Sequence, residues 1–206
     1  MPSPKPLLTR RQLAAFVAAP FAAECVLGEA YAAAVGEVTE VRGTAFAEFA
    51  DGARPLSQGA AVSINEIIRT GEASRLKMLL AGQTRISLGA LATIKIDRYL
   101  SELGGDITVE SGALLFDKST RLKQGEIKVS SPYALIAVRG TRFFAGPSNG
   151  VFGIFVASGS VSVVASRQRI VLNAGQGTNI AMIGAPPTPP TIWGAARIEA
   201  ALASVS

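Results

Sequence analysis

The sequence predicts an all-β protein: many short strands in a twisted, solenoid-like or sandwich-like β-stack, with a short C-terminal helix. Three observations carry that prediction. Apolar and polar residues alternate with period two, as in Thr84-Arg85-Ile86-Ser87-Leu88 and Thr93-Ile94-Lys95-Ile96-Asp97, which is the pattern of a half-buried strand. Turn-forming residues interrupt these runs at roughly ten-residue spacing. No helical periodicity intervenes between them. At 206 residues, 49% hydrophobic and 17% charged, the chain is long enough for a real core and too apolar for disorder.

From the N-terminus, residues 1–32 read as a cleavable export signal. Lys5, Arg10 and Arg11 form a positive start, and an uncharged run from Gln12 to Ala23 follows. That run contains Pro20 and is too short to span a bilayer, which takes about 20 apolar residues. Thr9-Arg10-Arg11-Gln12-Leu13 resembles a twin-arginine export motif, and Ala30-Tyr31-Ala32 offers a small-residue site with cleavage expected after Ala32. The expected location is periplasmic or secreted, with membrane contact only through the signal. Cleavage would remove Cys25, the one cysteine, so a mature chain would lack both Cys and His. A thiol-free protein suits an oxidising compartment.

Residues 33–183 form the expected β-domain, with room for about thirteen strands. Further alternation occurs at Glu126-Ile127-Lys128-Val129-Ser130 and Ser160-Val161-Ser162-Val163. Turns are expected at Asp51-Gly52, Ala81-Gly82, Gly104-Gly105-Asp106, Ser131-Pro132, Asn149-Gly150 and Asn173-Ala174-Gly175. Ser74 to Leu80 has some helical composition but is too short for an ordinary helix, so it is assigned to a strand. Residues 184–206 comprise a proline-rich linker, Ala185 to Pro190, and a helix over Ile192 to Ala203 carrying the only tryptophan, Trp193. This helix is expected to pack on the sheet edge, the alternative being a docking segment for a partner.

Two local phrases recur. Val41-Arg42-Gly43-Thr44-Ala45-Phe46 matches Val138-Arg139-Gly140-Thr141-Arg142-Phe143, and Val109 to Leu114 parallels Val156 to Val161 around Gly112 and Gly159. In each, a strand enters a glycine and another leaves it, as expected of a corner where the backbone changes course. The spacings are unequal, so no fixed repeat is shown.

Gly36 to Thr44, Ile68-Arg69-Thr70-Gly71, Val138 to Phe143, Phe155 to Val163 and Ala174-Gly175-Gln176, in that order, resemble the FecR domain family over about Val35 to Ala181. The resemblance implies an extracytoplasmic all-β module that is not an enzyme, with Arg139, Gly140 and Thr141 in a structural family motif. Arg139 and Arg142 at that corner are expected to pair with nearby acids, the alternative being a contact for a partner. In its best-known setting such a domain follows a cytoplasmic anti-sigma segment and a membrane span, and relays a signal from an outer-membrane transporter. No such segment stands ahead of the signal here, so the expectation is a stand-alone exported module acting through protein–protein interaction in the cell envelope.

The chemistry of the side chains points the same way. Without histidine, the commonest general base and metal ligand is missing. Gly146-Pro147-Ser148-Asn149-Gly150 has the letters of a nucleophile elbow, but a strand follows it, and it is assigned to a hairpin turn. Gly175-Gln176-Gly177-Thr178 lacks the third glycine and the helix of a dinucleotide loop, and is assigned to a β-turn. Asp51, Asp97, Asp106 and Asp117 carry no metal-ligand spacing. No cofactor, metal, catalytic residue or nucleic-acid partner is expected; the partner is an envelope protein. The alternatives are a binding module for an anionic envelope glycan or lipid, and a carboxylate-dependent hydrolase. The former draws on a basic stripe formed by Arg69, Arg75, Lys77, Arg85, Lys95 and Arg98, with Lys118, Arg121, Lys123 and Lys128, if the strands stack in order.

Overall fold

A computed structural model describes residues 34–49, 52–100, 104–118, 125–138 and 140–206. Among them the chain forms strands β1 (Ala34–Arg42), β2 (Ala45–Phe49), β3 (Gly52–Pro55), β4 (Ala61–Ser63), β5 (Ile67–Thr70), β6 (Arg75–Leu80), β7 (Thr84–Leu88), β8 (Thr93–Leu100) and β9 (Gly104–Ser111). There follow β10 (Leu114–Lys118), β11 (Ile127–Ser130), β12 (Leu135–Val138), β13 (Arg142–Ser148), β14 (Val151–Ser158), β15 (Ser160–Ala165), β16 (Gln168–Asn173), β17 (Gln176–Ile180), β18 (Thr191–Ile192) and the helix α1 (Ala195–Ala203).

The strands make two nine-stranded sheets. The first runs β18-β17-β14-β13-β10-β7-β6-β1-β4 and the second β16-β15-β12-β11-β9-β8-β5-β2-β3. Both orders climb with the sequence, because the chain passes repeatedly from one sheet to the other as it advances. That gives an open, sandwich-like stack with free edges and no closed barrel. Every pairing is antiparallel except β9 with β11.

The recurring phrases occupy four of these crossings. Gly43 joins β1 to β2, Gly112 joins β9 to β10, Gly140 joins β12 to β13 and Gly159 joins β14 to β15, and each link changes sheet. All four have φ between +62° and +81°, a left-handed conformation that a side chain disfavours. The repetition in sequence is thus the repetition of one backbone manoeuvre.

Alternation along the strands builds the core between the sheets. Leu76, Met78 and Leu80 of β6, Ile94 and Ile96 of β8, and Phe116 of β10 against Phe143 of β13 all face inward and are buried; the two phenylalanine rings lie 5.3 Å apart. The strand assignment for Ser74 to Leu80 therefore holds. A second apolar layer lies outside the first sheet, where Leu115, Phe144 and Phe155 meet Trp193, Ala201 and Val205.

Four expectations are modified. Seventeen strands fall within 33–183 among the described residues, more than thirteen, since three- and four-residue segments also pair. Gly104 to Asp106 begin β9 instead of forming a turn, because they pair with Arg98 to Leu100 of β8 on one side, and Gly105 and Asp106 pair with β11 on the other. The helix begins at Ala195 and packs over the face of the first sheet, not its edge; Thr191–Ile192 instead pairs with β17. The proline-rich segment is strapped down, with the Thr188 N–H bonded to the Asn179 carbonyl at 2.9 Å and Pro187 buried. Arg10, Arg11, Cys25 and Ala32, with the whole proposed signal, lie outside the described residues.

Candidate interaction site

The Val-Arg-Gly-Thr corner is a structural clamp in both copies. Thr141 is 1% exposed; its Oγ1 donates to the Ser160 carbonyl at 3.0 Å, and its own carbonyl accepts from the Lys118 N–H at 3.1 Å. At the earlier corner the Thr44 N–H donates to Ser74 Oγ at 2.9 Å, and the Thr44 carbonyl accepts from the Gly71 N–H at 2.9 Å. Gly140 supplies the left-handed turn before Thr141. Arg139 lies outside the described residues, and Arg142 faces Asp117 at 3.9 Å.

The basic stripe is divided. Arg75, Lys77 and Arg85 belong to the first sheet and Arg69, Lys95 and Arg98 to the second. Most are neutralised: Lys77 by Glu40 at 2.7 Å, Arg69 by Glu48 at 2.9 Å, Lys95 by Asp97 at 2.9 Å and Arg98 by Asp106 at 2.8 Å. Lys77 holds the Glu40 carboxyl below its usual range, aided by Arg42. Lys118 is buried, which pulls its ammonium below the usual lysine range. Arg121 and Lys123 lie outside the described residues. Alternation along single strands cannot reveal this division, because it depends on which sheet each strand joins.

Asp97 and Glu66 are similarly engaged. Burial pushes Asp97 up, but the Thr108 hydroxyl at 2.6 Å and the Lys95 ammonium more than offset it and hold the group below its ordinary value. Glu66 is fully buried, accepting from the Ser63 N–H at 2.7 Å and from the Arg54 guanidinium. Among the described residues no three metal-ligating side chains converge; Asp51 lies outside them. Ser148 ends β13 before a two-residue hairpin turn in which Asn149 has φ +53° and Gly150 φ +77°, and its Oγ accepts from Arg197 Nε at 3.0 Å. It is a hairpin serine in a structural bond. Of Gly175 to Thr178, only Gly175 belongs to the turn; β17 starts at Gln176, and Gly177 packs beneath Trp193.

What the fold assembles instead is a surface groove of about 410 Å³ at one end of the stack. The corner at Gly112, the turn Ser131-Pro132-Tyr133 and the hairpin at Gly150 converge there. Tyr133 stacks on Phe152, rings parallel to within 4° and 4.4 Å apart. Pro147 and Ala181 add apolar wall, and Glu110 contributes a carboxylate at the rim. Beyond Ala181 the chain exposes Met182 and Ile183, 67% and 63% accessible. Aromatic and apolar side chains presented from turns form the kind of surface that binds other proteins. Tyr133 and Phe152 were not singled out from sequence; the available signal was an aromatic beside Ser131-Pro132, a turn placed correctly from sequence.

The sequence model of the family described as FecR protein matches residues 66–162, a narrower stretch than Val35 to Ala181. Two crystal structures of a candidate anti-sigma factor from Parabacteroides distasonis, at 1.65 and 2.50 Å, share the fold with TM-scores of 0.56 and 16% identity. Each alignment covers 66% of this chain and 64% or 63% of the other, so the chain spans less than two thirds of those proteins. No curated protein matches the sequence.

Proposed function

Taking as premise that residues 66–162 form a FecR domain, we propose that this protein is a non-catalytic, exported module that works by binding another protein of the cell envelope, as part of a signalling system. One observation carries the reading: the end of the stack presents the Tyr133–Phe152 groove beside exposed Met182 and Ile183, while Glu40, Glu48, Glu66, Asp97, Asp106 and Asp117 are engaged in ion pairs. The twin-arginine-like signal with cleavage after Ala32 supports export, and the likeness to a candidate anti-sigma factor supports a regulatory context without naming a partner.

The groove is tested by replacing Tyr133 with Asp. Its ring is half-buried at a turn, so the stack should fold, whereas an apolar partner surface would meet a charge. Cross-linking in an envelope extract should recover a specific protein with the natural chain and lose it with Tyr133→Asp. Recovery of the same protein by both would remove the groove from the interface. Export is tested by Arg10→Lys with Arg11→Lys: the twin-arginine route predicts retention of the uncleaved chain, and unaltered export would eliminate that route.

A further inference from the structure

Three of the four sheet edges are unsuited to pairing with another chain. β3 ends in Pro55, and its Arg54 reaches across to the Ala61 carbonyl and Glu66. β4 has three residues and β18 only two, preceded by Pro189 and Pro190. Such shortening and proline placement discourage edge-to-edge association. The fourth edge, β16, is a regular six-residue strand.

The register defines what that edge offers. β15 and β16 pair in unbroken register from Ala165–Gln168 to Ser160–Asn173 about a two-residue turn, Ser166-Arg167, with both φ positive. Residues flanking such a turn exchange backbone hydrogen bonds, so Gln168, Ile170 and Leu172 bond to β15. Arg169, Val171 and Asn173 therefore turn their N–H and C=O groups to the open side. Gln176 Oε1 takes the Asn173 N–H at 2.9 Å, leaving Arg169 and Val171 to receive a partner. Val171 is 54% exposed.

Charge identifies that partner's chemistry. Between Glu126 and Glu199 the sequence contains no Asp or Glu. Arg167 and Arg169 are exposed and join no ion pair among the described residues. A second copy of the chain would bring the same arginines to one seam with no carboxylate on either strand. We propose that β16 is a docking edge for an extended segment of a partner protein in which acidic and apolar residues alternate. Its backbone would continue the second sheet, its carboxylates would face Arg169 and Arg167, and its apolar side chains would extend the layer of Ile170 and Leu172.

The probe is a labelled, end-capped peptide of about eight residues alternating valine with glutamate, followed by fluorescence anisotropy. It should bind the full chain, weaken with added salt, and bind at least tenfold more tightly than the valine–lysine counterpart. Val171→Pro removes an outward N–H without touching the β15 ladder and should cut binding tenfold or more; Arg169→Glu should cut it severalfold and flatten the salt dependence. With the natural protein, N-methylation of the peptide amides facing β16 should abolish binding, a result that does not depend on any variant folding. Equal affinity for the methylated or lysine peptide, or no binding, overturns the proposal. So does a dimer of the natural chain that Val171→Pro dissociates, since the edge would then belong to a second copy. Tyr133→Asp should leave peptide binding unchanged, so this edge and the groove fail or survive separately.

Discussion

The two halves of the stack use the same corners and finish their surfaces in opposite ways. Up to Glu126 the outward positions carry charges of both signs, paired as Lys77 with Glu40, Lys95 with Asp97 and Arg98 with Asp106. After it, carboxylates disappear until Glu199, and later residues, with Ala113 and Leu115, build a second apolar layer on the first sheet. There Trp193 fits against Gly153 and Gly177, where any Cβ would collide with the indole, and stacks on Phe155 with centroids 5.4 Å apart. Arg197 lies 3.6 Å over the indole and donates to Asn179 Oδ1 at 2.7 Å; burial pulls its guanidinium below the usual range. The early half is a solvated scaffold, held outside by weak, screened pairs. The late half is sealed by packing, and of its described arginines Arg167 and Arg169 stay exposed and outside any ion pair among the described residues. Sharing a fold therefore does not mean sharing a surface.

The contrast breaks most easily at Trp193. Trp193→Ala empties the slot over Gly153 and Gly177 and should cost about 3–5 kcal/mol in urea unfolding, a fall in Tm of roughly 10 °C. A cost below about 1 kcal/mol would mean that the outer layer adds little and that the halves differ only in charge.

The shared corners give the next largest effect. Gly112→Ala and Gly159→Ala each force a side chain into the left-handed region, costing about 1–2 kcal/mol, and add a collision: with Ala92 Cβ at 2.6 Å in the first case and the Gly140 carbonyl at 2.7 Å in the second. Gly150→Ala has the same sign of φ but open space around it, so it should cost less than either. If Gly112 and Gly159 tolerated alanine as Gly150 does, the corners would not be what the halves have in common.

The smallest effect tests the pairs of the early half. Asp97→Asn should cost less than about 1 kcal/mol at neutral pH, because the carboxylate is a third exposed and screened. The folded-state value lies below the ordinary one, so the contribution is present above about pH 4 and is lost as the pH falls through the folded-state value. Stabilities of Asp97→Asn and the natural chain should thus converge in acid. A gap that persisted at low pH would show that packing, not charge, acts at this position.

Much of the fold was legible along the chain because strand alternation and turn chemistry are local. Thr84 to Leu88 and Arg75 to Leu80 take the strands their side chains dictate, and Asn149-Gly150 turns where expected. The recurrence around Gly43 and Gly140 correctly marked changes of course, since a left-handed residue leaves its signature in the sequence as glycine. Little of the candidate site was legible. Tyr133 and Phe152 are nineteen positions apart and meet only because β11–β12 and β13–β14 bring their turns to the same end of the stack. The division of the basic side chains was not legible for the converse reason: Lys77 and Lys95 look alike in alternation but join different sheets.

The sequence by itself determined the all-β class, the glycine corners, the terminal helix and the absence of histidine, all consequences of composition or of contacts between near neighbours. Only the tertiary structure decided which strands share a sheet, that the helix covers a face instead of an edge, and that β16 is left open. Those outcomes are set by which distant surfaces exclude water together, and no local pattern encodes that choice.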